Sequence, residues 1–155
     1  MSIRRTFIGH AFRAFVVLAT CSSALAGPND AYIDAPSIRL KRHGEVLKLL
    51  RADRRWQSVK DNQADATIDL RAADGTEAFV AFSGGTAHNA SVSLPRKETP
   101  TRELFRYFGV TAPDAPYRTP ISLVWQHGFG AYKNATIIAM KNKTVIMLFF
   151  KPPTD

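Results

Sequence analysis

The side chains best suited to acid–base or nucleophilic work are His43, His88 and His127, the hydroxyl of Ser83, and the carboxylates Asp69 and Asp74. A small hydrolase could use His88 or His127 as a general base, with Asp69 or Asp74 orienting the ring. Their spacing, however, gives no reason for them to meet. Ser83 lies in Phe82-Ser83-Gly84-Gly85, without the glycine two residues before the serine that a nucleophile elbow requires, so the stretch reads as a turn. No H-x-x-x-H, H-E-x-x-H or C-x-x-C spacing occurs. No metal site and no cofactor is therefore implied. The acids stand mostly singly, Glu77 and Glu103 among them, rather than as the facing carboxylates of glycoside hydrolysis.

Two stretches suit binding better than catalysis. The run Trp125-Gln126-His127-Gly128-Phe129-Gly130-Ala131-Tyr132-Lys133 combines free backbone with large amphipathic faces. Trp125, His127, Phe129 and Tyr132 are thus candidates for a recognition loop, and a hairpin connection whose aromatics fold back onto the core is the competing reading. Between Arg39 and Lys60 eight cations face only Glu45 and Asp53, a local charge of +6. Arg51, Arg54 and Arg55 could there attract an anionic polymer or an acidic protein surface. The alternative is an ordinary solvated helix face. Asn89-Ala90-Ser91, Asn134-Ala135-Thr136 and Asn142-Lys143-Thr144 match the glycosylation sequon and read otherwise as strand-edge residues.

The chain of 155 residues carries a formal charge of +8. Met1 to Arg5 is a positive start, Ala14 to Ala19 a short apolar run, and Ala24-Leu25-Ala26 a small-x-small cleavage site, the order expected of a signal peptide over residues 1–26. Arg4-Arg5-Thr6-Phe7-Ile8 also resembles a twin-arginine signal, though two arginines are common in such starts. Removing this segment takes away Arg4, Arg5 and Arg13 and lowers the charge to +5. It also removes Cys21, the only cysteine. An exported domain without disulfides must be held by its core, and a chain of this length buries roughly two thirds of its unfolded surface. One domain is expected over 38–155.

The elements that must position these groups follow from periodicity. Residues 27–37, with two prolines and two aspartates, read as an extended N-terminal arm. Val46, Leu47 and Leu50 make the apolar stripe of a first helix, with Lys48, Arg51 and Arg55 on another side. Strands are predicted at Ala66 to Arg71, at Thr76 to Phe82 after an Asp74-Gly75 turn, and around Ala90 to Leu94, which has one wet face. Thr99, Pro100 and Gly109 bracket a second helix with Leu104, Phe105 and Phe108 inward. Ile121 to Gln126, Thr136 to Met140 and Thr144 to Phe150 complete the strands. The last shows no alternation and belongs at the sheet centre or under cover on both faces. The expected fold is α+β, a mostly antiparallel sheet of about five to six strands with two helices on one face. The two halves repeat the same order of elements, a faint hint of duplication.

The expectation for function is an exported, basic, non-enzymatic recognition module of inhibitor, immunity or accessory type, with a protein or an acidic envelope polymer as partner. The small hydrolase and the anionic-polymer binder or secreted effector are its alternatives. Export makes nucleic acid an improbable partner.

Overall fold

The computed structural model describes residues 31–152. The expected signal segment, and residues 27–30 of the expected arm, lie outside the described residues. Two helices, α1 (Ala35–Ile38) and α2 (His43–Ala52), precede the strands β1 (Trp56–Asn62), β2 (Thr67–Ala72), β3 (Glu77–Ser83) and β4 (Thr86–Leu94). A 3-10 helix (Arg102–Phe108) then precedes β5 (Tyr117–Thr119), β6 (Ser122–Trp125), β7 (Tyr132–Ala139) and β8 (Thr144–Phe150). Among the described residues the fold is α+β, with one sheet of eight antiparallel strands in the order β1-β2-β3-β4-β8-β7-β6-β5. Each half is a helical segment followed by a four-stranded meander, and the halves join through their last strands, β4 and β8.

Eight strands replace the five or six expected, because β1 and β5 hide their pattern. In β1 a register shift between Trp56 and Ser58 places Trp56 opposite Ala72 and Val59 opposite Leu70, so two core residues stand three apart instead of two. In β5 three residues sit between prolines, too few to show a period. The unalternating run of β8 is explained by its central place. Its burial still alternates, with Ile146, Leu148 and Phe150 in the core and Val145, Met147 and Phe149 half-buried.

The core is one cluster that unites alternate residues of the sheet with Val46 and Leu50 of α2 and Leu104, Phe105 and Phe108 of the 3-10 helix. In register across the sheet it contains the rung Leu70, Ala78, Val92, Ile146, Ile137 and Leu123. The second helical segment is 3-10 rather than α. It starts at Arg102, after the cap residue Thr101, and stops at Gly109, whose φ of 63° supplies the left-handed residue expected there.

Within the expected arm, residues 31–37 are docked rather than extended outward. Ile33 and Ala35 are fully buried, Ile33 donates its N–H to the Tyr107 carbonyl at 3.1 Å, and Asp34 caps α1 by accepting from Ser37. Asp34, one of the residues that made this stretch look like linker, is its N-cap. No helix among the described residues is long and apolar enough to cross a membrane.

Candidate functional site

Period-two alternation gives each strand a second set of side chains that the core does not use. Register sorts them into three rungs. Lys60, Asp69, Phe79, Ser91, Met147, Thr136, Val124 and Tyr117 cross all eight strands in one line. Beside them run Arg71, Glu77, Ser93, Val145 and Ile138, and on the other side Thr67, Ala81, Asn89, Phe149 and Asn134. Phe79, Val145, Met147, Phe149, Ile138 and Val124 are half-buried, and none belongs to the core cluster. Tyr117, at the β5 edge, is 55 % exposed. We call this surface the open face.

A groove of about 450 Å³ lies on the open face across β1, β2, β3, β4 and the start of β8. Phe79, Val145, Ser91 and Ser93 line it together with Lys60, Asp69, Arg71, Glu77 and Lys143. Arg71 and Glu77, adjacent across β2 and β3, neutralise one another. Lys60 and Lys143 have no carboxylate within ion-pair distance among the described residues. The groove therefore offers an apolar floor, serine hydroxyls and two ammonium groups, with the Asp69 carboxylate across from Lys60 in the β1–β2 register.

The expected recognition loop is arranged differently. Trp125 is 1 % exposed, meets Phe105 edge to face at 5.0 Å, and donates its indole N–H to the Pro113 carbonyl at 3.1 Å. Tyr132 is buried, and burial pushes its hydroxyl pKa up. Phe129 is half-buried against Phe105, Trp125 and Tyr132. The aromatics fold back onto the core, and of the four only His127 is exposed. Gly128 makes this possible, since its φ is 66° and its N–H bonds back to Trp125.

The basic residues also separate. Arg51 lies in the last turn of α2, while Arg54 and Arg55 lie beyond its end, in the turn into β1. Arg51 and Arg54 are exposed. Arg55 is committed internally: it grips Asp53 through its guanidinium and donates to the Ala31 carbonyl. That contact holds the Asp53 carboxyl below the usual carboxylate range.

His88 is exposed on β4 beside Phe149, with ring centroids 6.0 Å apart. Neither His88 nor His127 is bonded to Asp69 or Asp74 among the described residues, and Asp74 accepts instead from Tyr32 and the Thr76 N–H. The histidine that does meet an acid is His43, the first residue of α2, whose Nε2 lies 3.1 Å from Asp61 Oδ1 on β1. The two atoms are close without hydrogen-bond alignment, and both are buried. The ring also meets Phe82 edge-on at 4.6 Å. No hydroxyl is hydrogen-bonded to His43 among the described residues, and the pair brings α2 against β1. No group of metal-ligating side chains occurs among the described residues.

No family model, curated protein or solved structure matches this chain, and its functional reading rests on its own geometry.

Proposed function

We propose that this protein is an exported, non-enzymatic recognition module that binds another protein across the open face of its sheet. In this reading both helical segments pack on one face and leave the other for a partner. The observation that carries it is the band of half-buried apolar residues, Phe79, Val145, Met147, Phe149 and Ile138, in register on a face that the core does not use. Surfaces of this kind, apolar and rimmed by charge, mark interaction sites. Lys60 and Lys143 at the groove favour a partner that presents an acidic residue beside an apolar one.

The edges support the face as the site. Strand addition requires a long flat edge, whereas β1 carries a register shift and Lys60, and β5 has only three residues. Export, read from residues 1–26, places the encounter in the envelope or outside the cell.

The test is capture of a partner from envelope extract by the purified protein, compared with Phe79→Ala and Met147→Ala. Retention through a high-salt wash, lost in these variants by the ~2 kcal/mol of a hot spot while the melting midpoint holds, supports the reading. Capture that salt abolishes and that Arg51→Glu with Arg54→Glu removes would transfer the function to the basic segment as an anionic-polymer binder. Equal capture by all variants would place the site elsewhere.

A further inference from the structure

Away from the open face, Arg96 and Arg106 converge on a single oxygen. Arg96 Nη2 donates to the Tyr107 hydroxyl at 3.2 Å and Arg106 Nη2 donates to the same atom at 3.1 Å. Arg106 also lies over the Tyr107 ring, 4.7 Å from its centroid. Tyr107 is 7 % exposed, and its place is built from several sides. Its carbonyl accepts from Ile33, and its ring lies 5.5 Å from that of Tyr32. Arg96 is held by Thr144, fully buried at the start of β8, whose hydroxyl donates to the Arg96 carbonyl at 3.1 Å and accepts from the Glu98 N–H at 2.7 Å.

This arrangement has too many donors. A phenol offers two lone pairs and one proton, and both lone pairs of Tyr107 face a guanidinium. The hydroxyl proton has no acceptor among the described residues. Two like charges share one neutral oxygen, which is unfavourable unless an anion compensates them. Glu98 compensates Arg96, with Oε1 2.7 Å from Nε. Arg106 has no carboxylate within ion-pair distance among the described residues; its remaining contact is the Glu103 carbonyl at 3.5 Å. Two guanidinium groups and a phenol O–H meeting at one atom are the set of donor types that recognises oxyanions.

We propose that Arg96, Arg106 and Tyr107 form a binding site for an oxyanion of the phosphate type, with Arg106 supplying the uncompensated charge and the Tyr107 hydroxyl the third donor. Its source is either free phosphate or a phosphate carried on a polymer, and both present the same three acceptor oxygens. The site is independent of the open face and of whatever binds there.

The test is titration of the purified protein with inorganic phosphate, and separately with polyphosphate, at constant ionic strength against chloride, followed by NMR or calorimetry. Saturable binding is expected, weakened roughly tenfold or more by Arg106→Gln and by Tyr107→Phe, as loss of a charge-assisted hydrogen bond implies. Tyr107→Phe removes only the hydroxyl, so an unchanged melting midpoint separates lost binding from lost fold. Saturation by inorganic phosphate identifies the free ion as sufficient, whereas saturation by polyphosphate alone, sensitive to the same two variants, identifies the polymer-borne group. Absence of saturation with both probes, or binding indifferent to Arg106→Gln and Tyr107→Phe, overturns the site.

Discussion

The ring of Phe105 in the 3-10 helix meets the indole of Trp125 on β6 at 5.0 Å, with the planes inclined by 72°. This contact joins the second helical segment to the sheet, and Phe129 closes it at 5.7 Å from Phe105 and 5.9 Å from Trp125. Edge-to-face pairs add about 0.5–1.5 kcal/mol beyond the area they bury. Replacing Trp125 by Ala removes the contact and leaves a cavity, at a cost of about 3–5 kcal/mol. Urea unfolding of Trp125→Ala should show a loss of that size, whereas Phe129→Ala, half-buried, should lose less. A Trp125→Ala protein as stable as the parent would mean that the indole does not occupy the core.

The neighbouring arginines Arg54 and Arg55 should respond differently to the same truncation. Arg55 spans Asp53 and the Ala31 carbonyl, so it closes the docked segment 31–38 onto the turn before β1. Arg54 has no hydrogen bond or ion pair among the described residues and is exposed. Arg55→Ala should lower stability by about 1 kcal/mol, since partial exposure discounts the charge while the hydrogen bonds persist. Arg54→Ala should fall within about 0.5 kcal/mol of the parent. Chemical denaturation of the two variants side by side decides it, and equal effects would refute the internal role of Arg55.

Two glycines in one loop make a sharper contrast. A Cβ on Gly128 would overlap the Tyr132 carbonyl oxygen and lie 2.5 Å from the Lys133 carbonyl carbon, and both belong to backbone that cannot yield cheaply. A Cβ on Gly130 would meet nothing within 4 Å. Gly130→Ala, at a φ of 52°, should therefore cost only the left-handed strain of about 1–2 kcal/mol. Gly128→Ala should cost clearly more and should displace Tyr132 from β7. Thermal midpoints of the two variants, with tyrosine near-UV dichroism as the local probe, test the ordering.

Much of this architecture was legible from periodicity. Ile68 and Leu70 against Asp69 and Arg71, and Val92 and Leu94 against Ser91 and Ser93, assign the two faces strand by strand. What no single strand carries is the lateral register. Only pairing through β4 and β8 brings Phe79 onto the same rung as Met147, 68 positions further along the chain, and creates the open face. His43 and Asp61 escaped for a related reason. Their contact is non-local too, since the unrecognised strand β1 is what carries Asp61 to the helix. The glycine-rich aromatic loop had two readings of equal composition, and burial of Trp125 and Tyr132 chooses the core.

Tyr32 donates its hydroxyl to Asp74 in the β2–β3 turn and pins the docked N-terminal segment there, while the Thr76 hydroxyl donates to Tyr32 at 3.3 Å. The Tyr32 hydrogen bond holds the Asp74 carboxyl below the usual aspartate range, and Arg96 contributes in the same direction. A carboxyl whose pKa is lower in the folded than in the unfolded state adds stability above the unfolded value, near pH 4, and loses it as the pH falls through the folded value. The contribution is thus present at neutral pH and disappears in acid. Tyr32→Phe should leave the ring contacts with Trp56 and Tyr107 intact, centroids 5.8 and 5.5 Å away, while it removes the hydrogen bond to Asp74 and the acceptor of the Thr76 hydroxyl, of which only the first depends on pH. Its stability deficit against the parent should be largest near pH 7 and shrink below about pH 4. Asp74→Asn should show the same convergence, and the double variant should lose less than the sum of the two, because either change alone breaks the contact. Denaturation midpoints across that pH range give the answer, and a deficit that stayed constant with pH would assign the effect of Tyr32 to its contact with Thr76 and not to Asp74.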